Sequence, residues 1–169
     1  MLRPATDAEI EQIRQWRNHQ KVRDSSIWID YITPEGHAAW WARVQDDPQR
    51  DVLIFSYRGI DCGVVTINDH DREARTTEWG FFLDVDGLEA RGQLLPAWIE
   101  LEKEAVRHGF EVMGLWSMGG RTLAWNEPVL ALHRRFGFVE IPERCYVTNI
   151  AGVDQQVIWT ELTAEHRLP

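Results

Sequence analysis

Hydrophobic residues follow two rhythms along this chain, one helical and one extended, and the change falls near residue 50. Residues 2–4 read as a short first strand. Thr6-Asp7-Ala8-Glu9 is a capping box: the Thr hydroxyl meets the Glu9 N–H and the Glu9 carboxylate reaches back. The helix it opens sets Ile10, Ile13 and Trp16 or Arg17 on one face, then meets the polar aromatic stop Trp16-Arg17-Asn18-His19. A second helix opens at Thr33-Pro34-Glu35, with Thr as N-cap and Pro in the first turn, and carries His37, Trp40, Trp41 and Val44.

Past residue 50 the pattern is extended. Residues 52–57 form a strand, 58–61 a turn, and 62–68 the hairpin partner. A polar turn at 69–72 leads to a strand over 76–83, with Glu78, Gly80 and Phe82 on one face and Trp79, Phe81 and Leu83 on the other. Residues 84–87 read as a loop, and 94–108 as a long helix ended by Gly109. Strands are expected at 112–118, 138–141, 145–149 and 156–162, with a short helix over 127–136. Met118-Gly119-Gly120-Arg121 reads as a turn after a strand, from which Arg121 could meet a phosphate. The order is β-α-α-β-β-β-α-β-α-β-β, an α/β chain of the α+β type, expected as one domain over residues 1–169.

The charge balance narrows the partners. A formal net charge of −9 disfavours a broad nucleic-acid footprint, although Arg107, Arg121, Arg134 and Arg135 could form a local basic patch. Two cysteines, Cys62 and Cys145, lack metal-ligand spacing, so neither a metal nor a disulfide framework is expected. No apolar run approaches the roughly 20 residues of a membrane span. The start does not read as a signal peptide, and a reducing cytoplasm is expected. Nine tryptophans exceed ordinary usage; most should pack the core, leaving one or two for a site.

Chemistry enters with Trp125-Asn126-Glu127-Pro128-Val129-Leu130-Ala131-Leu132-His133-Arg134-Arg135-Phe136-Gly137-Phe138. It resembles the Asn-x-x-Ala/Ser-x-x-Leu-Tyr-x-Lys-x-Gly-Phe element of the GCN5-related N-acetyltransferases (GNAT). The element order resembles that family too, over nearly the whole chain. The resemblance implies a mixed, mostly antiparallel sheet of six or seven strands with about four helices, splayed between its fourth and fifth strands. It implies N-acyl transfer from a phosphopantetheine thioester to an amine, with no tightly bound cofactor. Glu78 would be the base that takes the ammonium proton, set among apolar neighbours Trp79 and Phe81. His133, standing where the family has Tyr, would be the acid for the thiolate, as imidazolium. Asn126 would cap its helix and touch the pantetheine arm, and the main chain of Phe81, Phe82 and Leu83 would pair with the arm as an added strand.

One family feature is altered. The pyrophosphate loop Gln/Arg-x-x-Gly-x-Gly/Ala is represented by Arg91-Gly92-Gln93-Leu94-Leu95-Pro96. Leu94 and Pro96 fill both small-residue positions, and Pro96 has no N–H to give a phosphate. A donor with one phosphate, carried on an acyl carrier protein and contacted by Arg91 and the Arg134-Arg135 pair, fits this loop better than CoA. Acetyl-CoA remains the donor the family implies. Trp-Arg-Asn after the first helix resembles a narrower branch, the ribosomal-protein N-terminal acetyltransferases and the acetyltransferases of nucleotide-linked amino sugars. On the family pattern the first two helices form a lid, which places Trp16, Arg17, Asn18, His19, His37, Trp40 and Trp41 on the acceptor side. The expectation is an acyltransferase of a small biosynthetic amine, as monomer or homodimer. N-terminal protein acetylation and an inactive binding module are the alternatives.

Overall fold

The computed structural model describes residues 1–167. Strands β1 (Leu2–Pro4), β2 (Asp51–Tyr57), β3 (Ile60–Asp71) and β4 (Thr76–Leu83) pair antiparallel in sequence order. The sheet continues through β5 (Ser117–Leu123), β8 (Val153–Thr163) and β6 (Val139–Glu140), with β7 (Tyr146–Ile150) also pairing β8. Helices α1 (Ile10–Asn18), α2 (Gln20–Asp24) and α3 (Pro34–Val44) precede β2, while α4 (Val85–Ala90) and α5 (Leu94–Arg107) follow β4, and α6 (Glu127–Arg135) follows β5. The eight expected strands are all present in the expected order, with two short helices, α2 and α4, added.

Both faces of the sheet are covered, which is why β2 reads as the unbroken run Val52-Leu53-Ile54-Phe55. Leu53 and Phe55 join Trp79, Leu83, Leu101, Met118, Phe138 and Leu162 in one apolar layer. Val52 and Ile54 join Ile13, Trp16, Val44 and Val64 in the other. Ile54 and Phe55 are 0% exposed, and burial of each contributes about 1.5–3 kcal/mol. Phe82 packs in the second layer and Phe81 in the first, as the alternation on β4 predicts.

The only parallel pairing among the described strands is β4 with β5, and it is short: Thr76 to Ser117, Thr77 to Met118 and Glu78 to Gly119. Beyond Glu78 the strands part, at the expected place. Two glycines, expected in a turn, instead lie inside β5 because both of its faces are crowded. A Cβ on Gly119 would stand 2.5 Å from the Trp159 ring, and one on Gly120 would stand 2.9 Å from the Trp79 carbonyl oxygen. Trp159 lies against Gly119, and Arg144 sits over the ring at 3.4 Å.

Three local expectations are corrected. The strand expected at 112–118 begins at Ser117, because α5 continues into a π-helical turn, His108–Val112, that absorbs the apolar residues before it. Gly109 is therefore no helix stop; it is buried, and a Cβ there would meet the Met118 sulfur at 3.0 Å. The loop expected at 84–87 starts α4, with the Asp84 side chain accepting the Gly87 N–H. The capping box at Thr6 and Glu9 is present, opening a single 3-10 turn ahead of α1.

Candidate active site

The parting of β4 and β5 opens into a cleft of about 1330 Å³. Its walls come from α1–α3 and the segment between α2 and α3 on one side, and from α5 and α6 on the other. Of the expected residues, Glu78, Phe81, Phe82, Leu83, Leu94, Asn126 and His133 reach it, as do Arg17, His37 and Trp40.

Glu78 sits where the two strands separate. Its carboxylate pairs with Arg121, at 2.6 Å from Nη2 and 2.7 Å from Nε. The expected apolar setting is thus replaced by an ion pair, since Arg121 projects from β5 onto the same face. Burial lowers Arg121, but hydrogen bonding to Tyr146 and Glu78 outweighs it and holds the guanidinium above its ordinary value. Arg121 orients the carboxylate through Oε1 and leaves the second oxygen, Oε2, without a partner among the described residues.

His133 does not support the role of an imidazolium acid. Its Nδ1 lies 3.0 Å from Thr160 Oγ1, and its Nε2 faces Glu102 at 3.7 Å. Burial lowers its pKa to about 4, so it is neutral at neutral pH. Both nitrogens point into the core, and the ring lies tilted against Trp79 and Phe138. Glu102 is 0% exposed, and burial raises its pKa well above the ordinary carboxylate value. Neither Glu102 oxygen has a hydrogen-bond partner, and the indole nitrogens of Trp79 and Trp98 are also unpaired. A neutral acid beside a neutral imidazole describes this pair better than an ion pair, because the separation exceeds a hydrogen bond and both groups are sealed from water.

On the donor side, Asn126 is the N-cap residue of α6, as expected, but its side chain makes no capping hydrogen bond and is left to the cleft. The opening of α5 is poor in free donors. The Arg91 and Gly92 N–H groups donate to Glu89 O, and the Gln93 N–H donates to Leu88 O at 2.8 Å. Ala97 N–H returns to Gln93 O, and Pro96 has none, which leaves Leu94 and Leu95 to face an anion. Arg91, Gly92, Gln93, Leu95, Arg134 and Arg135 do not line the cleft. Arg134 pairs with Glu127, Arg107 with Glu104 and Arg121 with Glu78, so the expected basic patch is dispersed among separate ion pairs.

The acceptor side is corrected more heavily. Trp16 is core. Asn18 holds the backbone of Ile32 in both directions, donating to its carbonyl and accepting its N–H, each at 2.8 Å. His19 caps α2 and meets Asp86 at 3.1 Å, while the Trp41 indole donates to Asp7 at 2.7 Å outside the cleft. Trp40 does line the cleft, stacked on His37 at 4.9 Å between ring centres. Burial, then Arg14, lowers the His37 pKa. The segment over residues 25–33 carries the residues that sequence reasoning missed: Ser25, Ser26, Trp28 and Tyr31. Their signal was the placement of two aromatics in a stretch without periodicity. Side chains from α1 and α2 grip the backbone of this segment: Arg14 donates to Ile32 O, Arg17 to Trp28 O and Arg23 to Ile29 O, at 2.7–2.9 Å.

A split sheet, a carboxylate at the split and a helix opening beside it define the acetyltransferase class. A family model described as an acetyltransferase (GNAT) domain matches residues 1–139, and the chain belongs to that family of N-acetyltransferase enzymes. It is similar to the spermidine N-acetyltransferase of Vibrio cholerae in complex with CoA and spermine. The identity is 16%, over 98% of this chain and 96% of that one, with a TM-score of 0.84. A point mutant of the Vibrio cholerae enzyme is similar at 17% identity, over 96% of this chain and 94% of that one, with a TM-score of 0.79. At these identities the likeness establishes the fold. No curated protein matches the chain.

Among the described residues, no helix is long and apolar enough to cross a membrane, and no group of three or more His, Cys, Asp or Glu could hold a metal ion. Both cysteines are free.

Proposed function

We propose that this protein transfers an acyl group from a phosphopantetheine thioester to the amine of a small biosynthetic molecule, such as an amino sugar or a natural-product intermediate. The observation that carries this reading is one continuous cleft with Glu78 at the split and Asn126 across it. The amine nitrogen attacks the thioester carbonyl, the C–S bond breaks, and amide and thiol result. Glu78 takes the proton that the nitrogen loses, directly or through water, and Arg121 fixes the carboxylate during the step. The departing thiolate takes its proton from solvent, because both nitrogens of His133 are turned away.

The residues at the start of α5 bear on the donor. Two free N–H groups suit one phosphate better than a diphosphate, whose cradle uses several. Losing one hydrogen bond to a charged group costs about 1.5–3 kcal/mol, roughly ten- to hundredfold in affinity. This supports a carrier-protein thioester over acetyl-CoA, with surface contact supplying the missing affinity and Arg135 exposed for it. The test is calorimetric titration with CoA and with a phosphopantetheinylated carrier protein, alongside intact-mass detection of transfer from each acylated donor to an amine panel. Weak CoA binding with transfer from the carrier is expected. Micromolar CoA binding with efficient transfer and no response to the carrier returns the donor to acetyl-CoA. No transfer from either donor to any amine removes the acyltransferase reading.

A further inference from the structure

The cleft does not share the strongly negative charge balance of the protein around it. Its lining holds three cations, Arg17, Lys21 and Arg121, and two carboxylates, Asp30 and Glu78. Counting Glu89, which holds Lys21 from outside the lining, the site is neutral within a chain of net charge −9. Arg121 is matched by Glu78, and Lys21 by Glu89 at 2.6 Å. That leaves Arg17 and Asp30, an exposed carboxylate that makes no ion pair with it. Among the described residues Arg17 has no carboxylate partner: Nη2 donates to the Trp28 carbonyl at 2.7 Å, and Nη1 is shielded from water with no hydrogen-bond partner. Burial and the neighbouring Arg23 both act against its charge. A guanidinium in that setting is under-compensated, and one anion beside it would restore the balance.

We propose that the acceptor amine carries an anionic group, phosphate or carboxylate, which the cleft seats in the field of Arg17. The inference rests on the acyltransferase reading for calling the ligand an acceptor. Exposed Trp28 and Tyr31 at the cleft rim add flat surfaces for the body of such a molecule. Polycations such as spermine, bound by the structurally similar enzyme, meet the unmatched guanidinium with the wrong sign.

The test measures binding and turnover separately. Glucosamine, glucosamine 6-phosphate, muramic acid and spermidine are titrated calorimetrically into the wild-type protein, Arg17→Gln and Arg17→Lys. At least one anionic sugar should bind tenfold or more tighter than glucosamine, with the advantage shrinking as salt rises. Glucosamine 6-phosphate against muramic acid tells phosphate from carboxylate. Arg17→Gln should abolish the advantage and Arg17→Lys should retain part of it, a rescue that a purely structural role would not give. Equal binding of all three sugars, or tighter binding of spermidine by wild type, overturns the proposal even if Arg17→Gln fails to fold. Intact-mass detection of acylation separates the two claims. Anion preference without transfer leaves this inference as a binding site and removes the acyltransferase reading. Transfer without anion preference does the reverse.

Discussion

Glu102→Gln should stabilise the protein, and by an amount that grows with pH. The wild-type carboxyl is fully buried, without a hydrogen-bond partner, and burial raises its pKa well above the ordinary carboxylate value. A raised carboxylate pKa means that the folded state keeps a proton which the unfolded chain releases. Stability is therefore full below the unfolded value and falls as pH rises through and beyond it, until the folded pKa is reached. The penalty grows by about 1.4 kcal/mol for each pH unit between the unfolded and the folded value. Gln keeps the shape and cannot ionise, so this penalty disappears. For a chain of this size, 1 kcal/mol moves the melting temperature by about 2–4 °C, so each pH unit in that range widens the gap between the two proteins by roughly 3–6 °C. The assay is urea unfolding of both proteins at pH 5, 6, 7 and 8, scored as the difference at each pH. His133 contributes in the opposite direction: its pKa is lowered to about 4, so its share is lost as pH falls through 6.5 toward 4. The difference between the two proteins removes that share to first order. A gap that stays constant across pH, or narrows as pH rises, would show that Glu102 is ionised in the fold.

Glu78→Gln should lower turnover and flatten the basic limb of the pH–rate profile; a wild-type rate across pH would make Glu78 structural. His133→Phe should leave the dependence of rate on thiol leaving group unchanged, because neither nitrogen faces the cleft. A steeper dependence would restore the acid role. Asn18→Ala removes both hydrogen bonds to Ile32, costs about 1–3 kcal/mol in denaturant unfolding, and raises the acceptor Michaelis constant without changing donor affinity. An effect on the donor alone would refute the placement of this segment.

The local signals in the sequence proved sound where their partners are close in the chain. Thr6 with Glu9, and Thr33 with Pro34, act within a few residues and appear as expected. The alternation on β4 likewise assigned Phe81 and Phe82 to their layers, and the resemblance located Glu78 at the split. What failed depends on partners distant in sequence. Gly119-Gly120 has the composition of a turn, and the Trp159 ring and the Trp79 backbone, each about forty residues away, make a strand of it. Glu78 was legible but its partner Arg121 was not, since their proximity comes from the parallel register of β4 with β5. The acceptor residues were misassigned because Asn18, His19 and Trp41 are polar or aromatic for reasons of folding: they bond to Ile32, Asp86 and Asp7.

The grip of Arg14, Asn18, Arg17 and Arg23 on the backbone of residues 25–33 has a thermodynamic consequence for recognition. Ordering a backbone residue costs roughly 1–2 kcal/mol at room temperature, and here that entropy is surrendered when the chain folds. The acceptor then meets a wall already in place, so its binding should carry a small conformational entropy loss and a heat-capacity change set by the contact area alone. The corollary is narrowness: a wall that does not rearrange discriminates by shape, and acceptors that fit badly are excluded instead of accommodated.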